Sequence, residues 1–240
     1  MAVSIDTVYQ RVLAVANKEQ RGYITPQEFN LFANQAQMEI FDQYFYDINQ
    51  FGRLPGNNTE YSDMLELLSD KISAFKKTKN LSSNITTNIF PLSFTDFYKL
   101  GTVILKRVQA QHGAVGSVEI EKLDKNEFLF REASPLTAPS FSRPVYVREG
   151  TGIKIYPLSI TSNVECTYIA RPSPVNWNYV VVKSAALHNS TGTSNFNLHA
   201  SEENNLVYKI LSLAGVSIQN PTVYQMAEAK ELKTNQQEKQ

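Results

Sequence analysis

The spacing of apolar residues changes twice along this chain of 240 residues, from helical to alternating and back to helical. That double switch limits the fold more than any motif does. Ile5, Val8, Tyr9, Val12, Leu13 and Ala16 recur every three or four positions, so residues 5 to 18 are predicted helical. The same spacing runs from Pro26 to about Phe51 through Phe29, Phe32, Ala33, Ala36, Ile40, Phe41, Tyr44, Phe45 and Ile48, a wide aromatic stripe better suited to core or subunit packing than to a cofactor. Gly52 and the turn formers LPGNN at 54–58 end it. A third helix is predicted from Tyr61 to Lys77, with Met64, Leu67, Leu68, Ile72 and Phe75 on one face and Lys76, Lys77 and Lys79 as a cationic cluster at its C-terminal end.

After Lys79 the pattern becomes that of short strands. ITTNIFPLS, FYKLGTVILKRVQ, VGSVEIEKL, PVYVRE, GIKIYP, VECTYIARP and NYVVV are rich in β-branched and aromatic residues and bounded by Gly, Pro, Asn and Ser. LDKNEFLFRE at 123–132 is predicted as one short helix, and SPLTAPSFSRP as an extended connection. Beyond the link HNSTGTSN, Ser201 with Glu202 and Glu203 opens a helix through Leu213 that Gly215 ends, and a last helix spans Pro221 to about Leu232 before a polar tail. The expected fold is therefore α+β. Residues 1–80 and 200–240 form one helical layer, and residues 81–199 form an inserted, antiparallel β-rich body, a sandwich or a barrel.

The stretch NKEQRGYITPQEF, residues 17–29, imitates a calcium loop, with Gly22, Ile24 and Glu28 at the spacing an EF-hand uses. Its first, third and fifth ligand positions are Asn17, Glu19 and Arg21. A guanidinium has five donors and no acceptor, so Arg21 brings positive charge where an oxygen ligand is needed. The better reading is a corner between helices, with Thr25 as N-cap, Pro26 as first helical residue and Glu28 as the returning carboxylate of a capping box.

Composition removes further classes. Lys plus Arg and Asp plus Glu both number 23, for zero formal net charge, so no global field attracts nucleic acid or an anionic membrane. Cys166 is the only cysteine, which excludes an intrachain disulfide and a cysteine-based zinc site. No basic, apolar leader opens the sequence and no run of roughly 18 apolar residues crosses it, so neither a signal peptide nor a membrane span is expected. His112, His188 and His199 fall in no metal-ligand spacing, and no nucleophile elbow, phosphate loop or dinucleotide fingerprint occurs. Glu119 and Glu121, two apart on one predicted strand and hence on one face, are the nearest approach to paired catalytic carboxylates; Lys106, Lys122 and Lys125 around them favour a solvated mixed-charge surface. The expectation is a non-enzymatic protein without metal or cofactor.

Several segments, taken in order, resemble virion proteins of tailed phages, in particular structural proteins of short-tailed and crAss-like phages. They are NKEQRGYITPQEFNLFANQAQMEIFDQYF at 17–45, PSFSRPVYV with GIKIYP, YIARPSPVNWNY at 168–179, and FNLHASEENNLVYKILSLAGVSIQNPTVYQMA at 196–227. Residues 53–80 and the polar tail carry none of the likeness. The resemblance implies a subunit of the head-to-tail connector or tail, similar to the adaptor proteins that form a ring of about a dozen copies below a portal and assemble through heterologous contacts. It implies a virion location after assembly in the host cytoplasm, contact with portal and other connector proteins, passage of genomic DNA, and no membrane. Aromatic anchors suit such contacts. Trp177 and Tyr179, after the ARPSP connection, and Val223, Tyr224 and Met226 in the C-terminal segment are the candidate interface residues, with packing against the sheet core the alternative for Trp177. A tail-fibre attachment or host-surface binding module is the second reading. A cell-wall or glycan hydrolase is the third, and it would need Glu119, Glu121, Glu127 or Glu165 to converge on one pocket.

Overall fold

The computed structural model describes residues 3–18, 24–51, 59–84, 87–107, 116–183 and 185–217, with positions 225, 228–230, 232 and 233 beyond them. The fold is α+β, with helices towards both ends of the chain and a β-rich body between them. Its helices are α1 (Ile5–Lys18), α2 (Pro26–Phe51), α3 (Thr59–Ser73), α4 (Lys125–Glu132) and α5 (Glu203–Ser217), with a 3₁₀ turn at Ala200–Glu202. Its strands are β1 (Lys76–Leu81), β2 (Ile89–Pro91), β3 (Phe97–Arg107), β4 (Gly116–Glu119), β5 (Glu121–Leu123), β6 (Val145–Glu149), β7 (Gly152–Tyr156), β8 (Val164–Ala170), β9 (Tyr179–Val182) and β10 (Ala185–His188). Two compact units result, Met1–Ala74 with Pro172–Gln240, and Phe75–Arg171.

In the first unit α5 packs on α1 and α2, and α3 on α2. The helical spacing of the sequence maps onto burial: Ile5, Val8, Val12, Phe29, Ala33, Ala36, Phe41, Leu206 and Ile210 are wholly enclosed. Each large side chain among them contributes on the order of 1.5–3 kcal/mol by leaving water. The predicted capping box forms at the start of α2. Glu28 Oε2 accepts from the Thr25 backbone N–H at 2.9 Å, and Thr25 Oγ1 accepts from the Glu28 N–H at 3.3 Å. Gly22 lies outside the described residues, as do Asn57 and the rest of the predicted 54–58 turn. Glu202, 2% exposed, meets Lys71 Nζ at 2.7 Å and accepts from Asn205 Nδ2 at 2.8 Å, tying α3 to the 3₁₀ turn.

Three local expectations in this unit are corrected. The third helix stops at Ser73 instead of Lys77, and its supposed cationic end is the edge strand β1; the ladder that β8 offers outweighs the helix preference of lysine. The N-cap before α5 is not Ser201: His199 Nδ1 accepts from the Ser201 N–H, and a 3₁₀ turn precedes the helix. Gly215 does not end α5, which runs to Ser217 with Gly215 buried inside it, because packing overrides a modest glycine penalty. Of the predicted last helix, positions 225, 228–230, 232 and 233 are helical, and the others lie outside the described residues.

The second unit is a sandwich. One sheet has the order β1-β8-β3-β4 and the other β2-β7-β6-β5. Val103, Leu105, Val164, Cys166 and Tyr168 of the first share one core with Phe90, Tyr146, Ile153 and Ile155 of the second. Pairing is antiparallel except between β5 and β6, which run parallel. The run VGSVEIEKL, expected as one strand, divides at buried Ile120: β4 joins the first sheet and β5 the second. Glu119 and Glu121 therefore sit in different sheets, not on one face of one strand.

Both faces of β6 are covered, since Val145 and Val147 turn outward against Leu123 of β5 and Phe128 of α4. Gly152 of β7 allows the close approach of β2, because a Cβ there would lie 2.7 Å from the Phe90 carbonyl oxygen. The exposed edge β1 is guarded by charge. Lys77 and Lys79 stand opposite Tyr168 and Cys166, hence on the core-facing side; Lys77 Nζ bonds Asp96 at 2.8 Å and Lys79 Nζ lies 3.9 Å from the Phe94 ring centre. Inward charges at an edge obstruct pairing with another chain.

Candidate functional site

Helix α2 carries three amides, Asn30, Asn34 and Gln37, at spacings that place them on one face. They hold the extended segment after β8 at alternate residues. Asn30 Oδ1 accepts from the Trp177 N–H at 2.8 Å and Asn30 Nδ2 donates to the Trp177 carbonyl at 3.2 Å. Asn34 makes the same two-way pair with Val175, both bonds 2.9 Å, and Gln37 Nε2 donates to the Ser173 carbonyl at 2.9 Å. A helix face thus replaces a sheet partner and satisfies backbone groups that burial would otherwise penalise. This ladder puts residues 172–199, expected with the β body, in the helical unit. Its signal in the sequence was the amide spacing beside the apolar stripe.

The ladder fixes Trp177. Its indole N–H donates to Asp6 Oδ1 at 2.9 Å, its ring lies 4.1 Å from that of Tyr9, and only 3% of the residue is exposed. Trp177 therefore packs inside the helical unit, against α1 and α2 and not over the sheet core, and offers almost no surface to a partner. Tyr179 and His188 stack on it at 5.8 and 5.6 Å, and these two face each other across the β9–β10 hairpin. Trp177 and Tyr179 are thus brought together. Val223, Tyr224 and Met226 lie outside the described residues.

The hairpin projects from this anchor, and sequence reasoning missed its second strand because AALH carries too weak an alternation to mark one. Val180, Val181, Val182 and Leu187 are each about half exposed or more. Consecutive strand residues point to opposite faces, so beyond the Tyr179–His188 pair on which Trp177 stacks, both faces of the hairpin carry exposed apolar residues. The two strands form a sheet of their own.

The other unit exposes a second group of apolar residues close in sequence, Leu129 and Phe130 of α4 and Leu136 just after it, with Phe130 80% and Leu136 88% exposed. In the same helix Arg131 binds Glu121 through two nitrogens at 2.7 and 3.1 Å and Glu127 at 3.0 Å. The hydrogen bond from Arg131 holds the Glu121 carboxyl below the usual carboxylate pKa.

No family model matches this chain, and no curated protein matches it significantly.

The carboxylates named from the sequence do not converge. Glu121 and Glu127 are held by Arg131, Glu165 is paired with Lys106, and Glu119 stands exposed on β4. A pocket of about 230 Å³ between α4 and the second sheet is lined by Lys125, Phe128, Glu132, Glu149, Lys154 and Tyr156. It is smaller than the roughly 300–1,000 Å³ of ligand sites, and Lys125 and Glu149 in it face each other at 3.6 Å. His188 Nε2 lies 3.2 Å from Thr193 Oγ1, His199 serves as a cap, and His112 is outside the described residues. Cys166 is buried in the sandwich core, where burial pushes its thiol up, the opposite of what a nucleophile needs.

Proposed function

We propose that this chain is a non-enzymatic structural subunit of a tailed-phage virion, a component of an oligomeric ring that joins portal to tail around the DNA channel. The observation that carries the reading is a β9–β10 hairpin with exposed apolar residues on both faces, which suits a protein whose work is assembly. The ordered resemblance of four segments to phage virion proteins supports the same reading, as does a formal charge of zero, suitable for a wall past which DNA slides. Electron-microscopic class averages of the purified protein, with mass by light scattering at several concentrations, test it. The expected result is a closed ring of about twelve copies. A monomer or trimer at every concentration, together with absence from the neck of virions, overturns it.

A further inference from the structure

A closed ring needs two unlike patches on every copy, because a head-to-tail contact joins one surface to a different one. Half of the exposed large apolar residues among the described positions are scattered along the chain, as Val15, Leu31 and Leu158 are; the other half fall in two short stretches. One is the hairpin, with Val180, Val181, Val182 and Leu187, and the other is the α4 patch, with Leu129, Phe130 and Leu136.

Their charges are opposite. Residues 179–188 include Lys183 and no acid, for a formal +1. Residues 121–136 hold Glu121, Asp124, Glu127 and Glu132 against Lys122, Lys125 and Arg131, for −1. Lys183 sits at the hairpin turn with φ +49, and Glu132 ends α4. The edges of the two larger sheets are guarded or short: β1 carries its lysines, β2 has Pro91 and three residues, β4 has four residues and β5 three. We infer that the β9–β10 hairpin of one copy docks on the Leu129, Phe130 and Leu136 patch of the next copy, with Lys183 approaching Glu132. This contact rests on the ring reading and deepens it, since it names the two surfaces that repeat around the ring.

Val181→Glu and Phe130→Glu test it, because both positions are well exposed and neither variant loses a buried contact. Each variant alone is expected to lose the ring and to keep the wild-type circular dichroism. Mixed, they are expected to form a one-to-one complex and nothing larger, because the hairpin of the Phe130→Glu copy and the patch of the Val181→Glu copy are both intact. Val181→Cys mixed with Phe130→Cys is expected to give an intercopy disulfide under mild oxidation, with buried Cys166 silent. Rings that persist in both glutamate variants overturn this contact and leave the ring reading standing. Two monomeric variants that give neither complex nor crosslink overturn the pairing of these two surfaces. A wild-type chain that never self-associates overturns the contact and the ring together.

Discussion

Trp177 is the chain's only tryptophan, and its environment makes it a reporter for the helical unit. Held by Asp6 through its N–H and stacked on Tyr9, it is expected to fluoresce at short wavelength in the native protein and to shift red when that unit unfolds. Trp177→Phe removes the bond to a carboxylate and leaves a void, and a loss of about 2 kcal/mol is expected in urea denaturation followed by circular dichroism. Asp96 governs a different property. The hydrogen bond from Lys77 holds its carboxyl below the usual range. A carboxylate whose folded value lies below the unfolded one, about 3.9, stabilises the fold above that pH, and the contribution disappears as pH falls through the folded value. Asp96→Asn is therefore expected to lower the melting temperature at neutrality and to converge with the native protein as pH falls below about 4, so that the variant's decline in acid is flatter.

At the scale of elements, α2 serves two roles through neighbouring residues. Its N-terminus uses Glu28 in the capping box, so the carboxylate at the last position of the apparent calcium loop is already engaged. Millimolar calcium is expected to leave the melting temperature unchanged, and a rise of several degrees would contradict the capping reading. The link between α3 and the 3₁₀ turn depends on the Lys71–Glu202 pair, enclosed on both sides. Glu202→Ala removes the ion pair to Lys71 and the acceptor of the Asn205 bond, and a loss of about 1.5–3 kcal/mol is expected. Replacing both partners by apolar residues is expected to cost much less, which equilibrium denaturation of the single and double variants distinguishes.

For the whole molecule, equal numbers of acidic and basic residues leave little for phosphate to bind. Duplex DNA is expected to remain unshifted in a gel at physiological salt, since nonspecific affinity scales with the phosphates a protein neutralises. The two apolar patches carry a further expectation. Contacts made chiefly by Val180–Val182 and Phe130 are not screened by ions as surface charge pairs are, so an assembly built on them is expected to survive half-molar salt, read by light scattering. Dissociation on adding salt would shift attention to charged surfaces.

The sequence alone determined the class of fold, because burial period follows directly from backbone geometry: about 3.6 residues for helices, two for strands. It also determined the capping box, whose partners lie three residues apart. What it left to the tertiary structure were choices made between distant residues. Lys76–Leu81 became a strand only because β8 presented an open ladder, and VGSVEIEKL divided at Ile120 because two sheets competed for its backbone. Trp177 went into the helical unit because Asn30 and Asp6, both more than 140 positions away, satisfied its polar groups. The apolar hairpin was half visible as NYVVV, but its exposure was not, since a run of valines has the same composition in a core and on a surface. Local pattern fixes what a segment is able to form, and long-range pairing and packing decide which option is taken and which face is left to the solvent.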